Sequence, residues 1–216
     1  MPAVLFDIDG TLTDTNYLHV RAWRIAFTAC GKDVASARIH RTIGAGSGVL
    51  MRELIGEERD DIKERWSEEF DLLKGEIAPL PAAADLLRAV SRLGLCVVLA
   101  TSSEPDDTDA LVEALAADDA IDAVTSAGDV DEAKPSPEVF EAALEKAGCG
   151  PDEALVVGDT VWDVDAAGRC GLRCVTLLSG GISRAELEEA GAVAVYDDPA
   201  HLLAELDRSP LARLSR

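Results

Sequence analysis

The sequence predicts an α/β fold: a doubly wound parallel sheet with a helical module inserted near its start. Three observations carry this. Short apolar runs recur and end in polar clusters, helix-period segments alternate with them, and one N-terminal stretch has helical spacing without a convincing strand. A chain of 216 residues is long enough for one α/β core with residues left over for an accessory unit.

Ala3 to Phe6 is the first run, apolar throughout and closed by acidic residues, as suits a buried parallel strand whose carboxyl end opens onto a site. Thr15 to Pro79 then breaks the alternation. Leu18, Ala22, Ile25, Ala26 and Ala29 repeat at helical spacing, Gly31 is a plausible terminator, and Pro79-Leu80-Pro81 cannot continue a helix. The expected division is therefore a core of residues 1–14 and 80–216 with an inserted cap of residues 15–79. An insertion leaving just after the first strand overhangs the site. Within it, Trp23, Phe27, Trp66 and Phe70 read as packing residues, and Gly44-Ala45-Gly46-Ser47-Gly48 reads as a flexible turn.

Beyond the insertion the alternation resumes. Leu95 to Ala100 ends at Thr101-Ser102-Ser103, Ala154 to Val157 ends at Gly158-Asp159, and Leu172 to Leu177 ends near Ser179-Gly180-Gly181. Between them lie helical segments at Ala82 to Leu93, Asp106 to Ala117, Pro137 to Ala147 and Val161 to Cys170. In such sheets ligands bind outside the carboxyl ends of the strands, where the polar clusters fall.

Charge narrows the function classes. Twenty Lys and Arg face forty-one Asp and Glu, a formal net charge of −21, which repels nucleic acid and anionic membrane surfaces. A phosphate ligand would need local cations to reverse that field. No apolar run approaches the roughly 18 residues of a membrane span, and no signal-peptide core precedes Asp7, so a soluble cytoplasmic protein is expected. Cys30, Cys96, Cys149, Cys170 and Cys174 form no paired motif and read as free thiols.

Four elements carry the chemistry. Asp7-Ile8-Asp9-Gly10-Thr11-Leu12 sets two carboxylates at a strand end beside a glycine; alone, this is equally a solvated turn. Thr101 offers a hydroxyl and an N–H to a phosphoryl oxygen, or simply ends a strand. Lys134 lies in Glu132-Ala133-Lys134-Pro135-Ser136-Pro137, whose prolines stiffen the loop and whose Ser136 can cap a helix. Gly158-Asp159-Thr160-Val161-Trp162-Asp163 adds two carboxylates at a helix start. Asp7, Asp9, Asp159 and Asp163 at one mouth would repel one another unless a cation sat among them, and Mg²⁺ is the usual oxygen-ligated choice beside phosphate.

In that order the elements resemble the four motifs of the haloacid dehalogenase-like hydrolases, over essentially the whole chain. The resemblance implies a Rossmann-like core, Asp7 as nucleophile and Asp9 as general acid and then base. It implies Thr101 and Lys134 as phosphoryl ligands, with Thr11 and Ser102 beside them. The Mg²⁺ would be held by Asp7, the carbonyl of Asp9 and Asp159, with Asp163 behind them or acting through water. A crowded acidic site is expected to raise the pKa of Asp9.

Asp14-Thr15-Asn16-Tyr17-Leu18-His19 is similar to the cap entry of sugar-phosphate phosphatases and of β-phosphoglucomutase. It places His19 at the hinge, where a packed histidine is an equal reading. Arg41-Thr42-Ile43-Gly44 resembles the segment whose arginine meets the substrate's distal group, though a solvated arginine reads nearly as well. Lys74 is the only nearby match for a mutase cap lysine, and Pro81-Ala82 replaces the more usual Pro-Gly. The implied activity is hydrolysis of a small phosphorylated metabolite such as a sugar phosphate or phosphoglycolate, by a monomer or weak homodimer. A phosphosugar mutase is the alternative. A non-catalytic binding module and a dehalogenase, which lacks the second acid, stand further back.

Overall fold

The computed structural model describes residues 1–101, 103–130 and 132–214. Its centre is a six-stranded sheet in the order β3-β2-β1-β4-β5-β6, every pair parallel. The strands are β1 (Ala3–Phe6), β2 (Cys96–Leu99), β3 (Ala123–Val124), β4 (Ala154–Gly158), β5 (Arg173–Leu177) and β6 (Ala194–Tyr196). The four strands expected from the apolar runs are the four inner ones. β3 and β6 went unread because they are edge strands of two and three residues, half-buried and without a continuous apolar run.

Period-two alternation divides the inner strands between two cores. Val4, Phe6, Val97, Leu99, Leu155 and Val157 face one side, with α5 (Ala83–Arg92), α6 (Pro105–Leu115) and α10 (Pro199–Ala204). Ala3, Leu5, Val98, Ala154 and Val156 face the other, against α7 (Glu138–Ala147) and α8 (Val161–Arg169). α7 differs from expectation at its start: Pro137 takes the cap position and Ser136 does not cap the helix, its hydroxyl lying 3.4 Å from a Glu138 carboxylate oxygen. α9 (Arg184–Ala190) and α11 (Leu211–Leu214) complete the core helices.

Between β1 and α5 come α1 (Asn16–Ala29), α2 (Ser36–His40), α3 (Ser47–Ile55) and α4 (Asp60–Asp71). Trp23, Phe27, Ile39, Leu50 and Ile62 form a separate apolar cluster, so the helical cap has its own core. The chain leaves and re-enters at one place, where the Asp14 N–H donates to the Ala78 carbonyl and the Leu80 N–H to that of Leu12. At the exit Ala82 is held at φ +61°, in the left-handed region, immediately before α5. That conformation strains an L-residue and suits glycine. Ala82→Gly should stabilise the protein by about 1 kcal/mol in urea unfolding, glycine's extra unfolded-state entropy offsetting part of the relief. None of the described helices is long and apolar enough to cross a membrane.

Candidate active site

β1 has β2 on one side and β4 on the other, so the chain order reverses between β1 and β4. That crevice is where an open α/β sheet binds ligands. Asp7 continues β1 into it, its N–H donating to the Val157 carbonyl at 2.9 Å, and Asp159 follows β4 on the opposite bank. After Asp7 the backbone folds tightly: the N–H groups of Thr11, Leu12 and Thr13 all donate to the Ile8 carbonyl. Gly10 makes this turn at φ +75°, and a Cβ there would collide with Asn16 and Asp159.

Lys134 is buried and its ammonium donates to both Asp7 and Asp163, the latter at 2.7 Å. Burial works against its charge, but the two carboxylates outweigh it and its pKa is raised. Asp7 goes the other way from an ordinary carboxyl: burial, with Asp163 and Asp9 nearby, pushes it up to about 7 despite Lys134. Asp159 is also raised, by burial and then by Asp163 and Asp7. Its oxygens accept from the Thr11 hydroxyl and the Asn16 amide, each at 3.0 Å.

Asp7, Asp159 and Asp163 each offer an oxygen within 4.8 Å of the others, a buried all-oxygen set that fits a hard divalent cation and whose mutual repulsion such a cation would relieve. Within the set Asp163 is the most committed. One oxygen receives Lys134, and the other receives the Thr160 N–H and hydroxyl in a capping box at the start of α8. It is thus built to orient Lys134 and the helix start.

The Asp9 carboxylate turns away from this trio toward the cap hinge. It accepts from the Thr15 hydroxyl at 2.5 Å and lies 3.0 Å from His19 Nε2. His19 in turn stacks on Phe70, with ring centroids 4.2 Å apart, so it is both a packed histidine and a partner of Asp9. The expected rise in the Asp9 pKa is not found. Burial does raise it, but the His19 and Thr15 contacts outweigh burial and the net shift is downward.

These groups open into a cavity of about 810 Å³ between core and cap, lined by Asp7, Asp9, Thr101, Lys134, Trp23 and Trp66 among others. The Thr101 N–H is not free for a ligand, since it donates to the Thr125 hydroxyl at 2.9 Å; only its own hydroxyl remains, bonded to Ser103. Ser102 lies outside the described residues. Thr11, expected beside a substrate, is wholly buried with its hydroxyl donating to Asp159 at 3.0 Å, and it is not among the residues that line this cavity. Arg41 is likewise displaced: its side chain is 64% exposed and pairs with Glu186 of the core, outside the cavity lining. Lys74 is engaged by Asp71 and Asp107, also away from the cavity.

The cap cations that do line the cavity are Arg52, paired with Glu58, and Lys63, 4.0 Å from Glu104. In the sequence nothing separated them from other solvated helix charges. Residues 44–48 line the cavity too, and are docked rather than free: the Gly46 N–H donates to the Lys134 carbonyl at 2.9 Å. A Cβ on Gly46 would approach that of Ala133 to 2.5 Å, so a glycine is required there. Asn16 was also missed, because its partner Asp159 is 143 positions away.

Comparison with known proteins places this geometry in context. The sequence model of the haloacid dehalogenase-like hydrolases matches residues 1–171. Protein CbbY of Cereibacter sphaeroides is 35% identical over 95% of this chain and 96% of its own. A phosphoglycolate phosphatase of Rhodospirillum rubrum is 31% identical over 93% of this chain and 88% of its own. The crystal structure of a hydrolase from Pseudomonas syringae superposes with a TM-score of 0.90 at 40% identity, covering 96% of this chain and 98% of that one. With the ordered motifs gathered at one switch point beneath a helical cap, and relatives matching end to end, the chain belongs to the haloacid dehalogenase-like hydrolases.

Proposed function

We propose that this hydrolase is a Mg²⁺-dependent phosphatase that passes the phosphoryl group of a small phosphate monoester to Asp7 and then to water. The observation that carries the reading is the buried Asp7 at the switch point, bonded to Lys134 and within cation-sharing distance of Asp159 and Asp163, facing a cavity roofed by the cap. Asp7, Asp159 and the Asp9 carbonyl would hold the ion, which supplies charge neutralisation for the phosphoryl oxygens.

Asp7 Oδ attacks phosphorus in line, the bond from phosphorus to the ester oxygen breaks, and Asp9 gives the departing alkoxide a proton. Lys134 and the Thr101 hydroxyl receive the phosphoryl oxygens. Asp9 then takes a proton from water, whose oxygen attacks phosphorus and frees phosphate and Asp7. Both steps require substrate to draw Asp9 from His19 and Thr15, whose contacts lower its pKa, so that it holds a proton for the first step and is a stronger base in the second.

Arg52 and Lys63 take the role first read into Arg41. A substrate whose far end carries a carboxylate or second phosphate, as in phosphoglycolate, meets their charge once it displaces Glu58 and Glu104. Arg52→Ala with Lys63→Ala should raise KM for such substrates roughly tenfold while leaving kcat and neutral-tailed esters nearly unchanged. An equal loss on both ester types would remove the assignment. Lys74, the lysine first weighed for a mutase, lies outside the cavity, whereas the cap lysine that lines it is Lys63, so the mutase stays the alternative that the assay below separates.

The direct test is phosphate release from a panel of small phosphate monoesters, with Mg²⁺ and again with chelator. Metal-dependent release supports the phosphatase. Consumption of β-glucose 1-phosphate without free phosphate would replace it with a mutase, and no reaction at all with a binding module.

A further inference from the structure

Asn16, the first residue of α1, is buried, and its amide nitrogen donates to Asp159 at 3.0 Å. The same nitrogen lies 3.4 Å from the Gly180 carbonyl. Its amide oxygen has no hydrogen-bond partner and no exposure to solvent. A buried side chain whose acceptor goes unused is poorly suited to be structural filler: an apolar residue of similar shape would fit without leaving a polar atom stranded. What Asn16 provides is its donor, directed at one carboxylate oxygen, while the Thr11 hydroxyl holds the other. Both groups sit in the space that the missing side chain of Gly10 leaves open, since a Cβ there would come within 2.3 Å of Asn16 Nδ2 and 2.4 Å of Asp159 Oδ2.

We propose that Asn16 is a positioning residue for the cation site: from the root of the cap it fixes the rotamer of Asp159 and thereby sets the affinity for the divalent ion. This rests on the Mg²⁺ reading above. Groups that orient a metal's ligands from behind typically change affinity by about 10–100-fold when removed. The arrangement also ties the first turn of the cap directly to a cation ligand, so ion binding and the seating of α1 are energetically linked.

The test needs no substrate. Thermal unfolding of the full chain is followed against Mg²⁺ concentration for the parent protein, Asn16→Leu, Asn16→Ala and Asp159→Asn. The inference expects both Asn16 variants to unfold cooperatively without Mg²⁺ and to need roughly 10–100-fold more Mg²⁺ for half of the stabilisation. Thr11→Val should shift the midpoint in the same direction. If the Asn16 variants reach half-stabilisation at the parent's Mg²⁺ concentration, or if they lose melting temperature only in the absence of the ion, Asn16 is structural and the inference is overturned. If the parent and Asp159→Asn respond identically to Mg²⁺, the cation reading itself fails, an outcome distinct from the failure of Asn16 alone.

Discussion

With Asp7 as the proposed nucleophile, Asp7→Asn is expected to lower phosphate release by at least about 10³-fold while the protein still folds and melts cooperatively. The amide cannot serve as the attacking oxygen, and the other carboxylates near Lys134 are engaged elsewhere, Asp163 by the Thr160 N–H and hydroxyl and Asp9 by Thr15 and His19. Removing one member of a buried ion pair ordinarily costs about 3–5 kcal/mol, because the partner is left charged and alone. Here Lys134 keeps Asp163 at 2.7 Å, and the substitution removes a carboxyl whose own burial already pushed its pKa to about 7. The two effects oppose each other, so the change in stability is small. Circular dichroism melting beside a phosphate-release assay checks both halves, and residual turnover above about one part in a hundred would exclude Asp7 as the nucleophile.

Without a divalent ion, the protein loses stability as pH rises from about 4 to 7. The sign follows from proton counts. The Asp7 carboxyl releases its proton near 3.8 in the unfolded chain but near 7 in the folded one, so between those values the folded state binds more protons. Its contribution is fully present below about 4 and lost as pH passes through 7, with Asp159 adding in the same direction. For Asp7 alone the contribution is on the order of 4 kcal/mol. Mg²⁺ should flatten the slope by holding both groups ionised in the folded state. Urea unfolding at pH 5 and pH 7.5, with chelator and with Mg²⁺, measures it; a chelator slope of zero or opposite sign would contradict the electrostatics.

The core strands were legible because burial on both faces writes an unbroken apolar run, and the acidic ends of two of them marked the site. Helical spacing directly after Asp14-Thr15 also anticipated a helix there, and α1 starts at Asn16. What escaped was pairing at long range. The family resemblance put Thr11 beside the phosphoryl ligands, and the fold aims its hydroxyl at Asp159. Arg41 closes the five-residue α2 and pairs with Glu186 rather than lining the cavity, and the facing of a residue at the end of so short a helix is not recoverable from periodicity. The Asp9 pKa was misjudged in sign because local composition counts neighbouring carboxylates, whereas the folded hinge supplies Thr15 and His19.

The contact between Gly46 and the Lys134 loop bears on module exchange. A cap transplanted from another protein to alter substrate choice would bring its own residue to rest on the Ala133 methyl and the Lys134 carbonyl. Anything larger than glycine there would pry at the loop that carries the lysine, and the chimaera would change substrate at the cost of its chemistry. Cap and lysine loop are therefore one heritable unit, to be grafted together or not at all.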